Sequence, residues 1–129
     1  MAANYWGIAV GSALGGMLRF WLASVVTERA SGTFPWGTLI VNFSGSFLIG
    51  FIFTFTSAEG RATLNATARH FLMTGICGGY TTFSSFSLQT LNLAQNGEWV
   101  RAGLNIVASV VLCLVAVWLG HTLALAFNR

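Results

Sequence analysis

The placement of charge constrains this chain more than any other feature. Its formal charges are six arginines and three glutamates. They stand at Arg19, Glu28, Arg29, Glu59, Arg61, Arg69, Glu98, Arg101 and Arg129. Between them run four long stretches, Asn4–Val26, Trp36–Ser57, His70–Gln95 and Ala102–Phe127, and only Arg19 falls inside one. About 20 helical residues cross the ~30 Å hydrocarbon core of a bilayer, and each stretch is long enough. Charged residues make up 7% of the 129 residues, whereas soluble domains carry about a quarter. Such a chain cannot coat a water-soluble surface. The expected fold is an all-α integral membrane protein, a single domain over 1–129 with transmembrane helices at about 4–26, 36–57, 70–95 and 102–127. The first stretch has no basic segment before it and exceeds the apolar core of a signal peptide, so it reads as a span.

The connections, roughly Thr27–Pro35, Ala58–Arg69 and Asn96–Arg101, are too short to hold a soluble catalytic domain. No Ser/His/Asp set, HExxH or phosphate-binding loop occurs, which argues against an enzyme. His70 and His121 lie near span ends without a second ligand at metal spacing and read as interfacial residues. Cys77 and Cys113 sit in different spans and read as small apolar packers. A net charge of +3 without a basic cluster argues against a nucleic-acid partner. Four spans put Arg61, Arg69 and Arg129 on one membrane face, and Arg29, Arg101 and Arg19 on the other. The positive-inside rule needs an imbalance to choose a direction. This balance permits insertion both ways and hence an antiparallel dimer; a weak bias that still fixes one direction is the competing reading.

Polar and small residues pattern the spans. Gly7, Gly11 and Gly15 repeat every four residues, a stripe that admits a close helix neighbour. Arg19 is costly in hydrocarbon unless it snorkels or faces water; snorkelling is compatible with an electropositive vestibule that draws anions. Asn42, Ser46 and Gly50 form a second stripe, with Asn42 either gluing helices or facing a wet cavity. Asn105, Ser109 and Cys113 put a polar track on one face of the last helix. The third span holds Gly78–Ser87, GGYTTFSSFS. Irregular backbone survives in a bilayer only where protein buries it or water lines it. The glycine pair followed by Thr81–Thr82 is the expected break. A break frees carbonyls for a hard cation such as Na⁺ and creates a helix N-terminus that favours an anion. Phe83 and Phe86, three apart, share one side. Either their electropositive edges meet an anion or their rings face lipid.

These stretches closely resemble the small bacterial fluoride channels called Fluc or CrcB, over almost the whole chain. The resemblance rests on Gly-x-x-x-Leu-Arg ending at Arg19, GTLIVNFSGSFLIG at Gly37–Gly50 and TGICGGYTTFSSFS at Thr74–Ser87. It implies passive, selective export of F⁻ by a dual-topology antiparallel homodimer, multi-pass in the bacterial inner membrane. It further implies two pathways lined by both subunits, with Asn42, Phe83, Phe86, Ser84, Asn105 and Ser109 contacting fluoride and Arg19 setting the potential outside. A structural Na⁺ on the two-fold is implied as well, held by the main-chain carbonyls of Gly78 and Thr81 from each subunit. The sequence departs from the family at Asn105 and Cys113, where Tyr and Ser are common, and at Gln89, where Glu is. Two rivals remain at this level. A proton-coupled small multidrug exporter needs a carboxylate in the membrane, and all three glutamates lie outside the spans. A non-conducting accessory subunit would use the polar stripes only as glue.

Overall fold

The computed structural model describes residues 1–57, 60 and 62–129; Glu59 and Arg61 of the second connection lie outside the described residues. Among the described residues the chain is helical, without a strand. Helix α1 spans Ala2–Arg29 and α2 spans Trp36–Phe55. The third element is composite: α3 at Ala66–Arg69, a π-helical stretch at His70–Cys77, α4 at Gly78–Tyr80, and α5 at Phe83–Gln95. The last helix, α6, runs from Trp99 to Asn128. Helices α1, α2 and α6 are each long and apolar enough to cross a membrane. The third element is divided into residues 66–80 and 83–95, the fourth member of the bundle in two halves.

Local chemistry sets the ends. Asn65 caps α3 by accepting from the Ala68 amide at 2.8 Å. Helix α5 closes with Gly97 at φ 77°. There the Glu98 amide donates to Leu93 O at 2.8 Å and the Gly97 amide to Ala94 O at 3.0 Å. This double closure needs a left-handed residue, the conformation glycine adopts without penalty. Beyond the membrane segments, Thr33 donates to Glu98 at 2.7 Å, and Arg101 pairs with the same carboxylate. The Thr33 hydroxyl first, and then Arg101, hold the Glu98 carboxyl below its usual range. This contact ties the α1–α2 connection to the start of α6.

Small residues let backbones meet. A Cβ at Gly11 would lie 2.6 Å from Phe71 O, and one at Gly79 would lie 2.6 Å from Ser12 O; one at Gly15 would collide with Ile76 O. Helix α1 is thereby seated on the π-helical stretch and α4. Gly50 against Val117 O and Gly120 against Phe47 O seat α2 on α6 in the same way. Without water to squeeze out, close packing of this kind is what associates membrane helices. Gly7 belongs to the same stripe but is looser: a Cβ there would meet its nearest neighbour, Phe71 Cβ, at an ordinary 3.7 Å. Replacing Gly120 by valine is expected to cost about 2–3 kcal/mol through overpacking. Gly16→Ala, with nothing within 4 Å, should cost nothing. Thermal unfolding in detergent, followed by size-exclusion chromatography, compares the two.

Candidate functional site

The third element is interrupted at Thr81–Thr82. Thr81 has ψ 157° and Thr82 φ −152°, ψ 114°, so both are extended. Of the expected break, Thr81–Thr82 is the part that leaves the helix, while the glycine pair just before it is helical: Gly78 has φ −64°, ψ −38°, and Gly79 lies within α4. Side chains that outbid the helix for its amides cause the interruption. In a continuous helix the Thr82 amide would donate to Gly78 O. It donates instead to Asn42 Oδ1 at 2.8 Å, while Asn42 Nδ2 donates to Thr82 O at 3.0 Å. The Asn42 carboxamide thus pairs with the Thr82 peptide from both sides. In the same way the Ser85 amide, which a helix would direct at Thr81 O, donates to Thr82 Oγ1 at 3.1 Å. Thr82 is the N-cap of α5.

The carbonyls of residues 78–81, Gly78 and Thr81 among them, therefore lose their intrahelical donors. Carbonyl oxygens are suitable ligands for a hard cation, and the donor set at the break fits one. Among the described residues no group of three His, Cys, Asp or Glu could hold a metal; the oxygens at the break are main-chain carbonyls and the side chains of Asn42, Thr81 and Thr82.

The break opens onto a cleft of about 380 Å³. Asn42, Gly45, Ser46 and Ile49 line it from α2, with Cys77, Gly78, Thr81 and Thr82 from the break. Phe83 and Phe86 contribute from α5, and Ser109, Val110, Cys113 and Leu114 from α6. The cleft thus gathers Asn42, Phe83, Phe86 and Ser109 beside Gly78 and Thr81. The two rings are in contact, with centroids 5.2 Å apart and planes inclined by 54°. Phe86 is buried at 8% exposure, whereas Phe83 is 76% exposed. Asn105, at 1% exposure, stands one bond behind the cleft. It accepts from Ser109 Oγ at 3.4 Å and donates to Thr90 Oγ1 at 2.9 Å, and Thr90 in turn donates to Phe86 O at 2.8 Å. This chain of bonds ties the ring-bearing turn of α5 to the polar track of α6.

Besides Asn105, two further residues expected at the pathway lie off the cleft lining. Ser84 is exposed and its hydroxyl is 3.2 Å from Thr82 Oγ1, beside the cap. Arg19 is half-buried on α1. Ser46 and Thr82 do line the cleft. Ser46 was legible as part of the α2 stripe; the clamp on Thr82 joins residues 40 positions apart and leaves no local signature. The tyrosine of the motif, Tyr80, is used structurally. Its hydroxyl lies 2.7 Å from Ser44 Oγ. Ser44 donates to Ile40 O at 2.8 Å, so the Tyr80 hydroxyl is the donor to Ser44.

The profile of the CrcB-like protein, Camphor Resistance (CrcB) family matches residues 6–121. The chain belongs to the CrcB family. Similar curated relatives include the "Fluoride-specific ion channel FluC" of Methylocella silvestris, 60% identical over 126 residues, which cover 98% of this chain and 96% of the relative. The FluC of Paramagnetospirillum magneticum is 59% identical over 122 residues, 95% of each chain. That of Opitutus terrae is 60% identical over 124 residues, 96% of this chain and 94% of the relative. In this CrcB chain, Gln89 presents the one buried side-chain oxygen among the described residues that lacks a hydrogen-bond partner, its Oε1. Buried acceptors are nearly always satisfied, so α5 has an unfilled position on the same helix that carries Phe83 and Phe86.

Proposed function

We propose that this chain conducts fluoride passively and selectively out of the cytoplasm across the bacterial inner membrane, relieving fluoride toxicity. One observation carries the reading. Two phenyl rings, hydroxyls and an amide converge on a single cleft beside a broken helix, in a chain about 60% identical to relatives named fluoride-specific ion channels. Fluoride is small and strongly hydrated, so a selective path replaces its water with donors in a narrow space. Ser46 offers a hydroxyl, Ser109 can offer one by releasing its long 3.4 Å bond to Asn105, Asn42 has one amide hydrogen beyond the one given to Thr82, and Phe83 and Phe86 offer positive ring edges. Ser84 adds a hydroxyl beside the cap, Asn105 orients Ser109, and Arg19 raises the potential that draws the anion in.

The working unit we propose is an antiparallel, dual-topology homodimer. Three features support it: the balanced arginines of the sequence, the outward-facing Phe83, and the unfilled Gln89 Oε1. A two-fold axis repeats every contact, so the Gly78 and Thr81 carbonyls of two copies would supply four oxygens. A Na⁺ bound there would hold the two broken helices together by charge and would not be transported. Melting of the purified protein tests this apart from transport. The midpoint should rise with Na⁺ at constant ionic strength and not with N-methylglucamine; equal midpoints in both would remove the cation site.

Efflux from proteoliposomes, read with a fluoride electrode against a chloride control, tests the function. Fluoride release without a proton gradient is expected. Proton movement driven by a drug cation would instead identify an exporter, and silence an accessory subunit.

A further inference from the structure

The cleft has a neighbour. A second cavity, of about 460 Å³, shares Ile49 with it and is lined on α6 by Val117 and His121. Residues four apart lie on one helix face. On α6 the ridge Asn105, Ser109, Cys113, Val117 and His121 winds by about 40° per step at 3.6 residues per turn, so it leaves the first cleft after Cys113 and enters the second cavity at Val117 and His121, where it ends. From Cys113 to His121 the ridge covers about 12 Å at 1.5 Å per residue.

The hydrogen bonding of His121 fixes what its ring offers. Nδ1 lies 2.7 Å from Thr54 Oγ1, and Thr54 is 6% exposed. The hydroxyls of neighbouring Thr56 and Ser57 donate to backbone carbonyls, whereas that of Thr54 has the imidazole as its partner. A proton on Nδ1 would leave the buried Thr54 hydroxyl hydrogen without an acceptor, an arrangement that folded proteins avoid. Thr54 therefore donates to Nδ1, and the neutral ring carries its hydrogen on Nε2, facing away from Thr54. The ring is exposed and lines the cavity. Phe53 lines the same cavity, and the Arg69 guanidinium carbon sits 5.7 Å from the centre of its ring. The cavity thus holds a hydrogen-bond donor at His121 and, behind its Phe53 wall, a positive charge at Arg69.

We infer that His121 is a fluoride-capture residue at one mouth of the pathway, presenting Nε2–H to the anion while Arg69 supplies the local positive potential. The inference rests on the channel reading above and extends its path beyond Cys113.

Fluoride efflux from proteoliposomes of the full-length protein, measured over a range of internal fluoride, tests it. His121→Leu is expected to raise the half-saturating fluoride concentration about 10- to 100-fold, the loss of one hydrogen bond to a charged species. The rate at saturating fluoride should stay at the wild-type value. His121→Gln, which keeps an amide donor, should recover at least half of the low-fluoride rate. An unchanged half-saturation in His121→Leu, or a rate lowered by the same factor at every concentration, would overturn the inference while leaving the channel reading intact. If His121→Leu does not assemble, Thr54→Val serves instead, because it frees the ring from its anchor. It should raise half-saturation at constant maximal rate, and no change would overturn the inference equally. Wild-type protein that passes no fluoride would remove the channel reading and this inference with it.

Discussion

Replacing Asn42 by leucine is expected to lower fluoride efflux at least a hundredfold and to destabilise the protein measurably. Asn42 gives both ends of its carboxamide to the Thr82 peptide. Leucine would leave an amide and a carbonyl in a membrane protein without partners, at about 1–3 kcal/mol each. The cheapest relief is for residues 81 and 82 to return to the helix. The Thr82 amide would then recapture Gly78 O, which removes a carbonyl from the proposed cation site and rotates Phe83 and Phe86 away from the cleft. A cost of about 3 kcal/mol on the conducting geometry corresponds to roughly a hundredfold in its population. Asn42→Asp separates clamp from pore lining. It keeps the acceptor for the Thr82 amide, loses the donor to Thr82 O, and sets a negative charge beside a path for anions. Its flux should be as low as that of leucine, with a smaller drop in melting midpoint. Efflux and melting measured on the same preparations decide the matter. Normal flux in Asn42→Leu would reduce Asn42 to an interhelical contact and would undo the account of the break given above.

How much of this was legible in the sequence depends on how local each cause is. Helix content and the approximate spans follow from charge spacing, because hydrocarbon tolerates neither free peptide groups nor isolated charges. The interruption of the third helix was legible in outline, since hydroxyls at Thr81, Thr82, Ser84 and Ser85 compete locally for backbone amides. Of the glycine pair and the Thr81–Thr82 pair that marked it, the threonines carry the break and the glycines do not. Both are helical, and Gly79 is small because Ser12 lies against it. The partner that holds the chain open, Asn42, is 40 residues away. Polarity at mid-span flagged it, but no pattern could name Thr82 as its target. The π-helical stretch at His70–Cys77 was invisible for a related reason. Widening the turn is a choice among backbone bonds, made as Gly75 packs on Gly11, and it leaves no mark on side-chain periodicity. Spacing placed Phe83 and Phe86 together, and they touch, yet only the fold separates a buried ring from one facing outward.

That difference makes Phe83 the sharper probe of conduction. Phe86 is 8% exposed and packs within the chain, so Phe86→Ile mixes any loss of flux with a packing cost of about 1 kcal/mol. Phe83 is 76% exposed and touches Phe86 from outside. Its replacement by isoleucine removes little that stabilises one chain, and isoleucine matches lipid or an apolar partner as well as phenylalanine does. What isoleucine lacks is the positive ring edge. If a dehydrated fluoride depends on that edge, the anion loses one of few favourable contacts in a low-dielectric passage, where an unmet charged group costs about 1.5–3 kcal/mol. Efflux should then fall about 10- to 100-fold, with the melting midpoint and the elution volume unchanged. Phe83→Tyr keeps the ring edge and should retain most of the flux. Full flux in Phe83→Ile would mean that the outward ring is only apolar cover, and fluoride would then have to be dehydrated by the amide and hydroxyls of the cleft alone.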